Sequence, residues 1–500
     1  MKAMILNSKI FRAYDIRGIA FQDFDEDGFF SIAQGFAQYV SEKLKIKNPK
    51  IFVSGDGRLS LEQLSPSLLS GLEARGARVT WGGSIPTPLN YFAFHEGKFD
   101  AAIQITASHN PSEYNGLKLL DRNGAVCGEE IQKIMRMSLG ANFEPPCSPR
   151  SLGNERKLSL LSLRSGIRKL AECSLCRDAL HSGKCKNECT PVSFLEKYEK
   201  KLRGVTTTQK LKKIVVDCGN GIPGLFYPDI LKNFGHHVTS LHCSLDTTFP
   251  HHQPDPERPE NLKDLIKKVK ELHADFGFSF DGDGDRVGII LSDGAILSAD
   301  KILFILASDF LSRHPKSPVV LDAMTSATLM EKIKSLDGSP ILSRTGHSYI
   351  EEKMKASGAL LGGEQSGHFM LGENFYGHDD ALLAALRFLG AVEKNPKLLA
   401  EVTKKWPKLS EFSEKFDAPD EKKFEILKIV ETRLIASLPK DVKVSTLDGV
   451  RLDYGEGEWA IVRCSNTAPK IAVRIEAKTK KSLEEKKKMI LSLLKKNSKN

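Results

Sequence analysis

Residues 50–76 read KIFVSGDGRLSLEQLSPSLLSGLEARG, a short β-branched segment followed by a Gly- and Asp-bearing turn and an amphipathic helix pattern. The same pattern recurs in KKIVVDCGNGIPGLFYPDILKNFG (212–235), at DFGFSFDGDGDR (275–286) and in SPVVLDAMTSATLMEKIKSLDG (317–338). Repeated units of this kind build parallel sheets covered by helices, with ligand loops at the carboxyl ends of the strands. The sequence therefore predicts an α/β protein whose function lies in strand-to-helix loops.

The chain is too long for one ordinary core, because 500 residues exceed the usual size of a single domain. A polar, cysteine-bearing insert at about 145–190 interrupts the first α/β region. The segment KKWPKLSEFSEKFDAPDEKK (404–423) reads as a linker before a last domain with alternating strands. The predicted domains are residues 1–190, 191–298, 299–408 and 409–500.

Composition narrows the class of protein. No apolar run approaches the roughly 20 residues that span a bilayer. The start, MKAMILNSKIFRAYD, lacks the features of a signal peptide, so we expect a cytoplasmic protein without a membrane partner. Much of the formal charge of +10 lies in lysine-rich amphipathic helix patterns such as KKSLEEKKKMILSLLKKNSKN (480–500). Lysines in such a pattern typically form the solvent-exposed face of the helix. No basic and aromatic groove pattern accompanies them, so no nucleic-acid partner is expected.

The first loop with chemically reactive side chains is residues 104–118, QITASHNPSEYNGLK. Ser108 precedes His109, Asn110 and Pro111 in a turn that cannot extend a helix and that presents the hydroxyl to solvent or ligand. A serine in a turn also bonds its own backbone, so a purely structural turn former is the competing interpretation.

The second loop is FGFSFDGDGDR, residues 276–286. Asp281, Asp283 and Asp285 alternate with glycines, so the chain can bend and converge three carboxylates that repel one another unless a cation sits among them. Hard oxygen ligands suit Mg²⁺ better than Zn²⁺. An EF-hand is excluded because its twelfth position would be Ser292 instead of a bidentate Glu, whereas a loop of simple Asx turns stays open.

The third loop is LLGGEQSGHFM, residues 360–370. Glu364, Ser366 and His368 alternate, which in an extended segment points all three side chains to one side. Hydrogen-bonding groups flanked by glycines suit sugar hydroxyls. A polar surface strand explains the same pattern equally well.

The fourth loop lies in IVRCSNTAPKIAVRIEA, residues 461–477. A guanidinium fork, two hydroxyls and turn amides meet between two β-branched strands, which indicates a phosphate cradle. An ordinary hairpin loop is the alternative. The residues of this cradle are Arg463, Ser465, Asn466 and Thr467.

Together and in this order the four loops resemble the α-D-phosphohexomutase superfamily: TASHNP, DGDGDR, GEQSGH and RxSNT. FRAYDIRG (11–18), HHQPDPERPENLKDL (251–265) and SNT in the last loop are similar to the phosphomannomutase/phosphoglucomutase group. The resemblance covers nearly the whole chain apart from the insert. It implies four domains around a central cleft, three related α/β domains with mixed sheets and a smaller C-terminal α+β domain.

The resemblance also implies site residues. Ser108 is then the phosphorylated residue, and Asp281, Asp283 and Asp285 hold Mg²⁺ together with Ser108, with Arg286 beside them. The sugar loop contributes Glu364, Ser366 and His368. Positions that surround the active site or substrate in the family match Tyr14, Arg17, His109, Lys118 and His347.

The chain departs from the family pattern in its third domain and its last loop. Asp322, Ala323 and Met324 stand where the group often has Asp-Val-Lys, so a substrate-contacting lysine is missing. Cys464 replaces the usual small residue of the phosphate loop, and Ala468 the usual acid. Neither change removes a phosphate donor.

The insert carries four cysteines in the spacing C-x2-C-x8-C-x3-C. Four thiolates so spaced can bind structural Zn²⁺ tetrahedrally, but the middle loop is short, and we favour a cysteine-rich insert without metal. The cysteines are Cys173, Cys176, Cys185 and Cys189.

The implied reaction passes a phosphoryl group from phosphoserine 108 to a hexose 1- or 6-phosphate, with hexose 1,6-bisphosphate as intermediate and activator. Mg²⁺, Arg286 and Lys118 supply the charge that phosphoryl transfer requires. His109, His347 and the Glu364 region are the candidate general bases. Glucose, mannose and glucosamine phosphates stay open as substrates. A phosphatase and a non-catalytic phosphosugar-binding protein are the other classes, and a monomer is expected.

Overall fold

The computed structural model describes residues 4–140, 191–206, 210–419, 422–439, 441–466 and 469–497. The chain divides into two compact units, Met1–Ile296 with Asn374–Ala385 and Leu297–Glu373 with Leu386–Asn500. Over the described ranges, no helix has both the length and the apolar character needed to cross a membrane. The predicted insert at 145–190, with its four clustered cysteines, lies outside these ranges, as does Thr467.

The first unit holds a sheet of six strands in the order β1-β5-β4-β2-β3, with β6 beside β5. Helix α1 begins where the Asp25 carboxylate accepts the N–H of Gly28 at 2.9 Å, and it ends at Lys45 in a left-handed conformation. The strands are β1 (Ile16–Ile19), β2 (Lys50–Gly55), β3 (Arg78–Ser84), β4 (Ala101–Ile105), β5 (Tyr114–Asp121) and β6 (Gly124–Ala125). The helices are α1 (Glu26–Leu44), α2 (Leu61–Ala74), α3 (Thr87–Glu96) and α4 (Glu129–Gly140).

The same unit holds a second sheet in the order β11-β10-β9-β7-β8. The β-branched and aromatic residues of its central strands, Val215 and Phe278 among them, are buried, as is usual for strands in the middle of a sheet. Its strands are β7 (Lys213–Asp217), β8 (His237–Leu241), β9 (Phe276–Phe280), β10 (Val287–Leu291) and β11 (Ile296–Leu297). The helices that follow along the chain are α5 (Pro191–Val205), which packs against α3, and then α6 (Tyr227–Asn233) and α7 (Lys263–Leu272).

The second unit holds a four-stranded sheet, β13-β12-β14-β15, and an antiparallel sheet, β16-β20-β19-β18-β17. The strands are β12 (Pro318–Asp322), β13 (Ser339–Ser343), β14 (Leu361–Gly363), β15 (Phe369–Leu371), β16 (Ser410–Asp417), β17 (Lys443–Ser445), β18 (Val450–Gly455), β19 (Glu458–Cys464) and β20 (Lys470–Ala477). The remaining helices along the chain are α8 (Ala299–Arg313), α9 (Ala327–Ser335), α10 (His347–Ser357), α11 (Ala381–Lys394), α12 (Lys397–Thr403), α13 (Lys423–Ser437) and α14 (Lys480–Asn497). The predicted α/β class, with three mixed sheets and a separate C-terminal sheet, is confirmed.

The first three sheets share one topology. A central strand (β2, β7 or β12) runs parallel to the next two strands in the chain. The second of those two then pairs antiparallel with its successor, as β4 with β5, β9 with β10 and β14 with β15. Three of the four loops singled out in the sequence therefore occupy the same position in three related sheets.

This topology corrects two expectations. The prediction that these three loops connect a strand to a helix is wrong, because each of them joins two antiparallel strands. The prediction of a helix after DGDGDR is also wrong, because Val287–Leu291 is strand β10 and pairs antiparallel with Phe276–Phe280. The β-branched run VGIIL and the SDG turn that follows it favour a hairpin over a helix.

The predicted linker at 404–423 is wrong over its middle part. Ser410–Asp417 forms β16 and pairs along its whole length with β20. Glu411, Glu414 and Lys415 are exposed at this edge of the sheet. Charged residues are typical of edge strands, and here they hid the strand pattern.

Candidate active site

Ser108 lies in the loop between β4 and β5, in a conformation that serine rarely adopts. Its φ is 51°, in the left-handed region, and its side chain is 1% exposed. Its hydroxyl donates to Asp281 Oδ2 at 2.6 Å, and its Oγ lies 3.2 Å from Nδ1 of His109. A strained, buried serine with a carboxylate and an imidazole at its hydroxyl points to a functional group rather than to a turn former.

Arg58 fixes this loop, and the sequence reasoning missed it. The guanidinium is buried and donates to four backbone carbonyls of the Ser108 loop. These are the carbonyls of Ser108 and Asn110, both at 2.8 Å, of Pro111 at 2.6 Å and of Tyr114 at 2.9 Å. The only sequence signal was its place in the GDGR turn after β2.

Two threonines and a carboxylate connect the Ser108 loop to the acidic loop, and they too were missed. The Thr106 hydroxyl lies 2.7 Å from Asp56 Oδ2 and 3.1 Å from Asp283 Oδ2. The Thr87 hydroxyl donates to Asp283 Oδ2 at 2.7 Å. Thr106 stands two residues before Ser108 in the quoted motif, whereas nothing in the sequence marked Thr87.

The acidic loop between β9 and β10 brings three buried carboxylates together. One oxygen each from Asp281, Asp283 and Asp285 lies within 4.8 Å of the others. The chain folds back because Asp281 Oδ1 accepts three consecutive backbone N–H groups. A Cβ on Gly282 would stand 2.4 Å from the Ser108 carbonyl, so only glycine allows the two loops to approach.

The electrostatics of the acidic loop fit a hard divalent cation. Burial, and then the charges of Asp285 and Asp283, hold the pKa of Asp281 well above its ordinary range. Burial also opposes ionisation of Asp283, but Lys118 and the Thr87 hydroxyl outweigh it, so the pKa of Asp283 is lowered. Asp283 Oδ1 is buried and accepts no hydrogen bond from the described part of the chain. Carboxylates so placed match the oxygen ligands of Mg²⁺.

Two predicted cations lie at this loop. Lys118, on β5, is 3% exposed, and its Nζ lies 2.9 Å from Asp283 Oδ2 and also pairs with Asp285. Burial lowers the pKa of Lys118, but the two carboxylates raise it well above its usual value. Arg286 Nε lies 4.0 Å from Asp281 Oδ2. Two fixed positive charges therefore lie at the acidic loop.

Arg17, on β1, contacts the Ser108 loop. Its Nη1 donates to Asn110 Oδ1 at 3.0 Å, and its Nη2 pairs with Asp15 at 2.6 Å. Tyr14 lies half-buried in the bend before β1. The structure thus connects Arg17 to the serine loop and leaves Tyr14 beside that strand.

In the second unit, the GEQSGH loop converges as predicted, but not as an extended segment. Glu364 N–H donates to the His368 carbonyl at 3.0 Å, which closes a turn between β14 and β15. His368 Nδ1 lies 2.9 Å from Glu364 Oε2 and 2.8 Å from the Ser366 hydroxyl. The expectation of strand alternation was wrong because Gly367, at φ 91°, allows the chain to turn.

Glu364 belongs to a buried, coupled pair of carboxylates. Burial and the charge of Glu364 raise the pKa of Asp322, at the end of β12, to about 7. Burial opposes ionisation of Glu364, but the hydrogen bond and charge of His368 dominate, and the pKa of Glu364 falls to about 2. His347 opens α10, with its ring centroid 5.6 Å from that of His368. One carboxylate of the pair is therefore ionised and the other titrates near neutrality.

The fourth loop offers part of an anion site. Arg463 Nε pairs with Asp448 at 2.7 Å, while its Nη2 is buried and has no hydrogen-bond partner among the described residues. Asn466 donates to the Thr345 carbonyl at 2.9 Å, and Ser465 is buried beside it. A guanidinium nitrogen without a partner is suited to an anionic ligand.

Met324, which replaces the expected lysine, packs against the apolar side chains of Ala323, Ala327, Trp459 and Ile461. Its carbonyl accepts a hydrogen bond from Arg474 at 2.9 Å. The thioether thus joins a small hydrophobic cluster, a contact that a lysine ammonium could not make without burying its charge.

Family models cover the chain in four consecutive parts. All four are described as phosphoglucomutase/phosphomannomutase: alpha/beta/alpha domain I at residues 8–143, domain II at 193–294, domain III at 298–409 and the C-terminal domain at 400–493. The first two matches leave the predicted insert between them.

Curated proteins and a solved structure agree with these matches. The chain is 35% identical over 489 residues to a phosphomannomutase/phosphoglucomutase of Pseudomonas aeruginosa, covering 97% of this chain and 95% of that protein. It is 32% identical over 477 residues to a phosphoglucomutase of Neisseria meningitidis serogroup A, covering 95% and 94%. A phosphoglucomutase/phosphomannomutase family protein of Burkholderia thailandensis superposes with a TM-score of 0.82 at 30% identity, over 99% of this chain and 98% of that one.

Proposed function

Because this chain belongs to the phosphoglucomutase/phosphomannomutase family, we propose that it interconverts hexose 1-phosphate and hexose 6-phosphate through a phosphoserine at position 108. Membership makes it an enzyme, an intramolecular phosphotransferase, so the family and the enzyme class predicted from the sequence are confirmed. The observation that carries the proposal is the Ser108 hydroxyl, buried and 2.6 Å from a carboxylate of the acidic loop.

The proposed cycle has two transfers. In the first, the Oγ–P bond of phosphoserine 108 breaks while the free sugar hydroxyl oxygen bonds to phosphorus. The sugar hydroxyl proton passes to a base, Oγ is reprotonated, and a hexose 1,6-bisphosphate results. In the second, Ser108 Oγ loses its proton to a base and bonds to phosphorus of the other phosphate of that intermediate, while the sugar O–P bond breaks and the sugar oxygen is protonated. The net change moves one phosphate between O1 and O6.

His109 is suited to the serine end of both transfers. Its Nδ1 lies 3.2 Å from Ser108 Oγ, within reach of the proton that Oγ gains and loses. His109, His347 and Glu364 stay open as the group that serves the sugar hydroxyl. Phosphoryl transfer asks mainly for in-line positioning and charge neutralisation, so a weak base suffices.

We assign the metal to Asp281, Asp283 and Asp285, with the Ser108 oxygen as an additional ligand. When bound there, Mg²⁺ would neutralise charge on the transferring phosphoryl group. Lys118 and Arg286 contribute fixed positive charge at the same loop. Arg58 and Arg17 hold the serine loop in place.

The loops of the second unit are assigned to the substrate: one to the sugar hydroxyls and the other to the phosphate group that is not being transferred. The Glu364, Ser366 and His368 turn offers acceptors and donors for sugar hydroxyls. The loop of Arg463, Ser465, Asn466 and Thr467 is assigned to the phosphate, supported by Arg463 Nη2, which has no hydrogen-bond partner in the part of the chain that the structure describes. Tyr14 and His347 are assigned to the surroundings of the substrate. We further propose a monomer with domain boundaries near 190, 298 and 408.

The test compares turnover of glucose 1-phosphate and mannose 1-phosphate by wild type, Ser108→Ala and Ser112→Ala, with Mg²⁺ and a trace of hexose 1,6-bisphosphate. Ser112 is a matched control because it lies in the same loop and bonds only weakly, to Glu113 at 3.5 Å. Wild type and Ser112→Ala should interconvert one or both sugars, and Ser108→Ala should lose at least about a thousandfold in rate, as expected when a covalent step is removed.

Other outcomes identify the alternatives. Release of inorganic phosphate without isomerisation would make the protein a phosphatase. Turnover of glucosamine 1-phosphate alone would place Met324 among the residues that set the substrate. An unchanged rate in Ser108→Ala would remove the phosphoserine from the mechanism.

A further inference from the structure

A second cluster of metal-ligating side chains lies at the end of the second sheet, outside the acidic loop. It consists of Asp217, His242 and His252, each of which places one ligand atom within 4.8 Å of the others. Asp217 is fully buried, and the histidines are half-buried. Neither the sequence reasoning nor the proposed mechanism gave these residues a role.

Three separate segments supply the cluster. Asp217 is the last residue of β7, His242 follows the last residue of β8, and His252 lies in the segment before α7. His242 adopts a φ of 50°, and its carbonyl accepts the Asn220 N–H at 2.7 Å. At Gly219, with a φ of 49°, an added Cβ would stand 2.9 Å from Pro254 and 3.2 Å from His252 Cε1. Two of the positions that bring the cluster together, Gly219 and His242, therefore use left-handed backbone.

The orientation of His252 is that of a metal ligand. Its Nδ1 lies 2.8 Å from the Gln253 carbonyl, to which it can only donate. Its Nε2 then faces Asp217, 3.1 Å from Oδ2 and 3.3 Å from Oδ1. A lone pair and a carboxylate at this distance attract each other only through a cation, either a second proton on the ring or a metal ion. Metal-bound histidines typically donate their other nitrogen to a carbonyl in this way.

His242 shows the corresponding contact with a carboxylate. Its Nε2 lies 3.2 Å from Asp264 Oδ2 on α7. His251 stacks on the same ring at a centroid distance of 3.9 Å and places Nδ1 2.7 Å from Asn220 Oδ1. The ring of His242 is thus oriented by a carboxylate on one side and an aromatic face on the other.

We propose that Asp217, His242 and His252 bind a divalent first-row transition-metal cation, of which Zn²⁺ is the reference case. Two imidazoles and one carboxylate are a ligand set that selects such ions over Mg²⁺. Tetrahedral Zn²⁺ with bonds of about 2.0–2.1 Å places neighbouring ligand atoms about 3.3 Å apart. The Asp217–His252 pair already stands at 3.1 Å, and His242 offers its ligand atom within 4.8 Å of both. The site is independent of Ser108 and of the acidic loop.

The test titrates Zn²⁺ into the full-length protein by isothermal calorimetry at pH 8, above the ordinary imidazole pKa of about 6.5. Excess Mg²⁺ occupies the acidic loop, and Cys173, Cys176, Cys185 and Cys189 are replaced by serine to remove the zinc candidate of the insert. In this background we compare His242→Gln, His252→Gln and the control His237→Gln. His237 is an exposed histidine of β8 outside the cluster.

The parent and His237→Gln should bind one equivalent of Zn²⁺, and each of the other variants should bind at least about tenfold more weakly, because a ligand is missing. Circular dichroism and mutase rate establish that the variants are folded. Co²⁺ substitution supplies a second readout, since a site without thiolate shows d–d bands without sulfur-to-cobalt charge transfer. Absence of zinc binding in the parent, or equal affinity in all variants, overturns the proposal, and neither result bears on Ser108.

Discussion

The β4–β5 loop and the β14–β15 loop hold the same position in sheets of the same topology, yet they are built in opposite ways. In the first, Ser108 itself adopts the left-handed backbone, and a buried arginine from another turn fixes the loop. In the third sheet, Gly367 takes the positive φ, and Glu364, Ser366 and His368 bond one another. The first loop is fixed chiefly by an arginine from outside it, whereas the side chains of the second bond chiefly to one another, apart from the Gly346 N–H that Glu364 also accepts.

On the proposed function, the difference follows from what each loop positions. A nucleophilic oxygen has to stand within a few tenths of an ångström of its reaction path, so a rigid guanidinium fork on four carbonyls is an effective support. Hydrogen bonds to sugar hydroxyls tolerate more variation, and side chains that orient one another suffice. The shared topology determines where a loop emerges, and local residues determine what it does.

The largest expected effect tests the support that Arg58 gives to the β4–β5 loop. Arg58→Met should lower the free energy of opening of β2 and β4 by about 3–5 kcal/mol, because it strands the buried Asp56 carboxylate and four carbonyls. Hydrogen exchange followed by mass spectrometry measures this change. Arg75→Met, at the exposed end of α2, is the control and should stay within about 0.5 kcal/mol. A loss below about 1 kcal/mol for Arg58→Met would show that the loop does not depend on this arginine.

The next effect concerns the carboxylate pair beneath the third loop. The pKa of Asp322 is raised to about 7, so the stability it contributes is full below its unfolded pKa of about 3.9 and is lost as the pH rises through 7. Asp322→Asn removes this loss. Relative to wild type, the variant should therefore gain on the order of 3 kcal/mol between pH 4 and pH 8, since one pKa unit is about 1.4 kcal/mol.

Urea unfolding followed by tryptophan fluorescence measures the difference. In a Trp81→Phe background, the remaining tryptophans, Trp406 and Trp459, both report on the second unit. Asp337→Asn, at an exposed position of the same unit, should not change the pH dependence. If the free energy of unfolding depends on pH in the same way for Asp322→Asn and its parent, Asp322 does not have a raised pKa in the folded protein.

The sequence predicted what short-range patterns encode. The strand and helix at 50–76 and the convergence of Asp281, Asp283 and Asp285 follow from local residue types. Arg58 could not be found in the same way, because its four acceptors are carbonyls, which every residue has, and they lie 50 or more positions away. Alternation in GEQSGH fits a strand and a turn alike, and only the tertiary fold decides between them.

A smaller effect tests the self-supporting loop. Gly367→Ala forces a side chain into a backbone with φ 91° and should cost about 1–2 kcal/mol in the same fluorescence assay. Gly372→Ala is the matched control. Its φ is not in the left-handed region, and its added Cβ would lie 3.3 Å or more from its neighbours. Equal stability of the two variants would mean that the turn rearranges freely.

The smallest effect tests the backbone of Ser108 apart from its hydroxyl. Ser108→Gly and Ser108→Ala both lose the bond to Asp281, so their difference reports the left-handed conformation alone. Relief of about 1–2 kcal/mol of strain, less about 0.5–1 kcal/mol for the greater freedom of unfolded glycine, should leave Ser108→Gly more stable by about 0.5–1 kcal/mol. Hydrogen exchange of β4 and β5 measures it. At Ser112, whose φ is not positive, the order of Gly and Ala should reverse. If glycine is the weaker variant at both positions, the β4–β5 loop is not strained, and its difference from the β14–β15 loop reduces to the arginine.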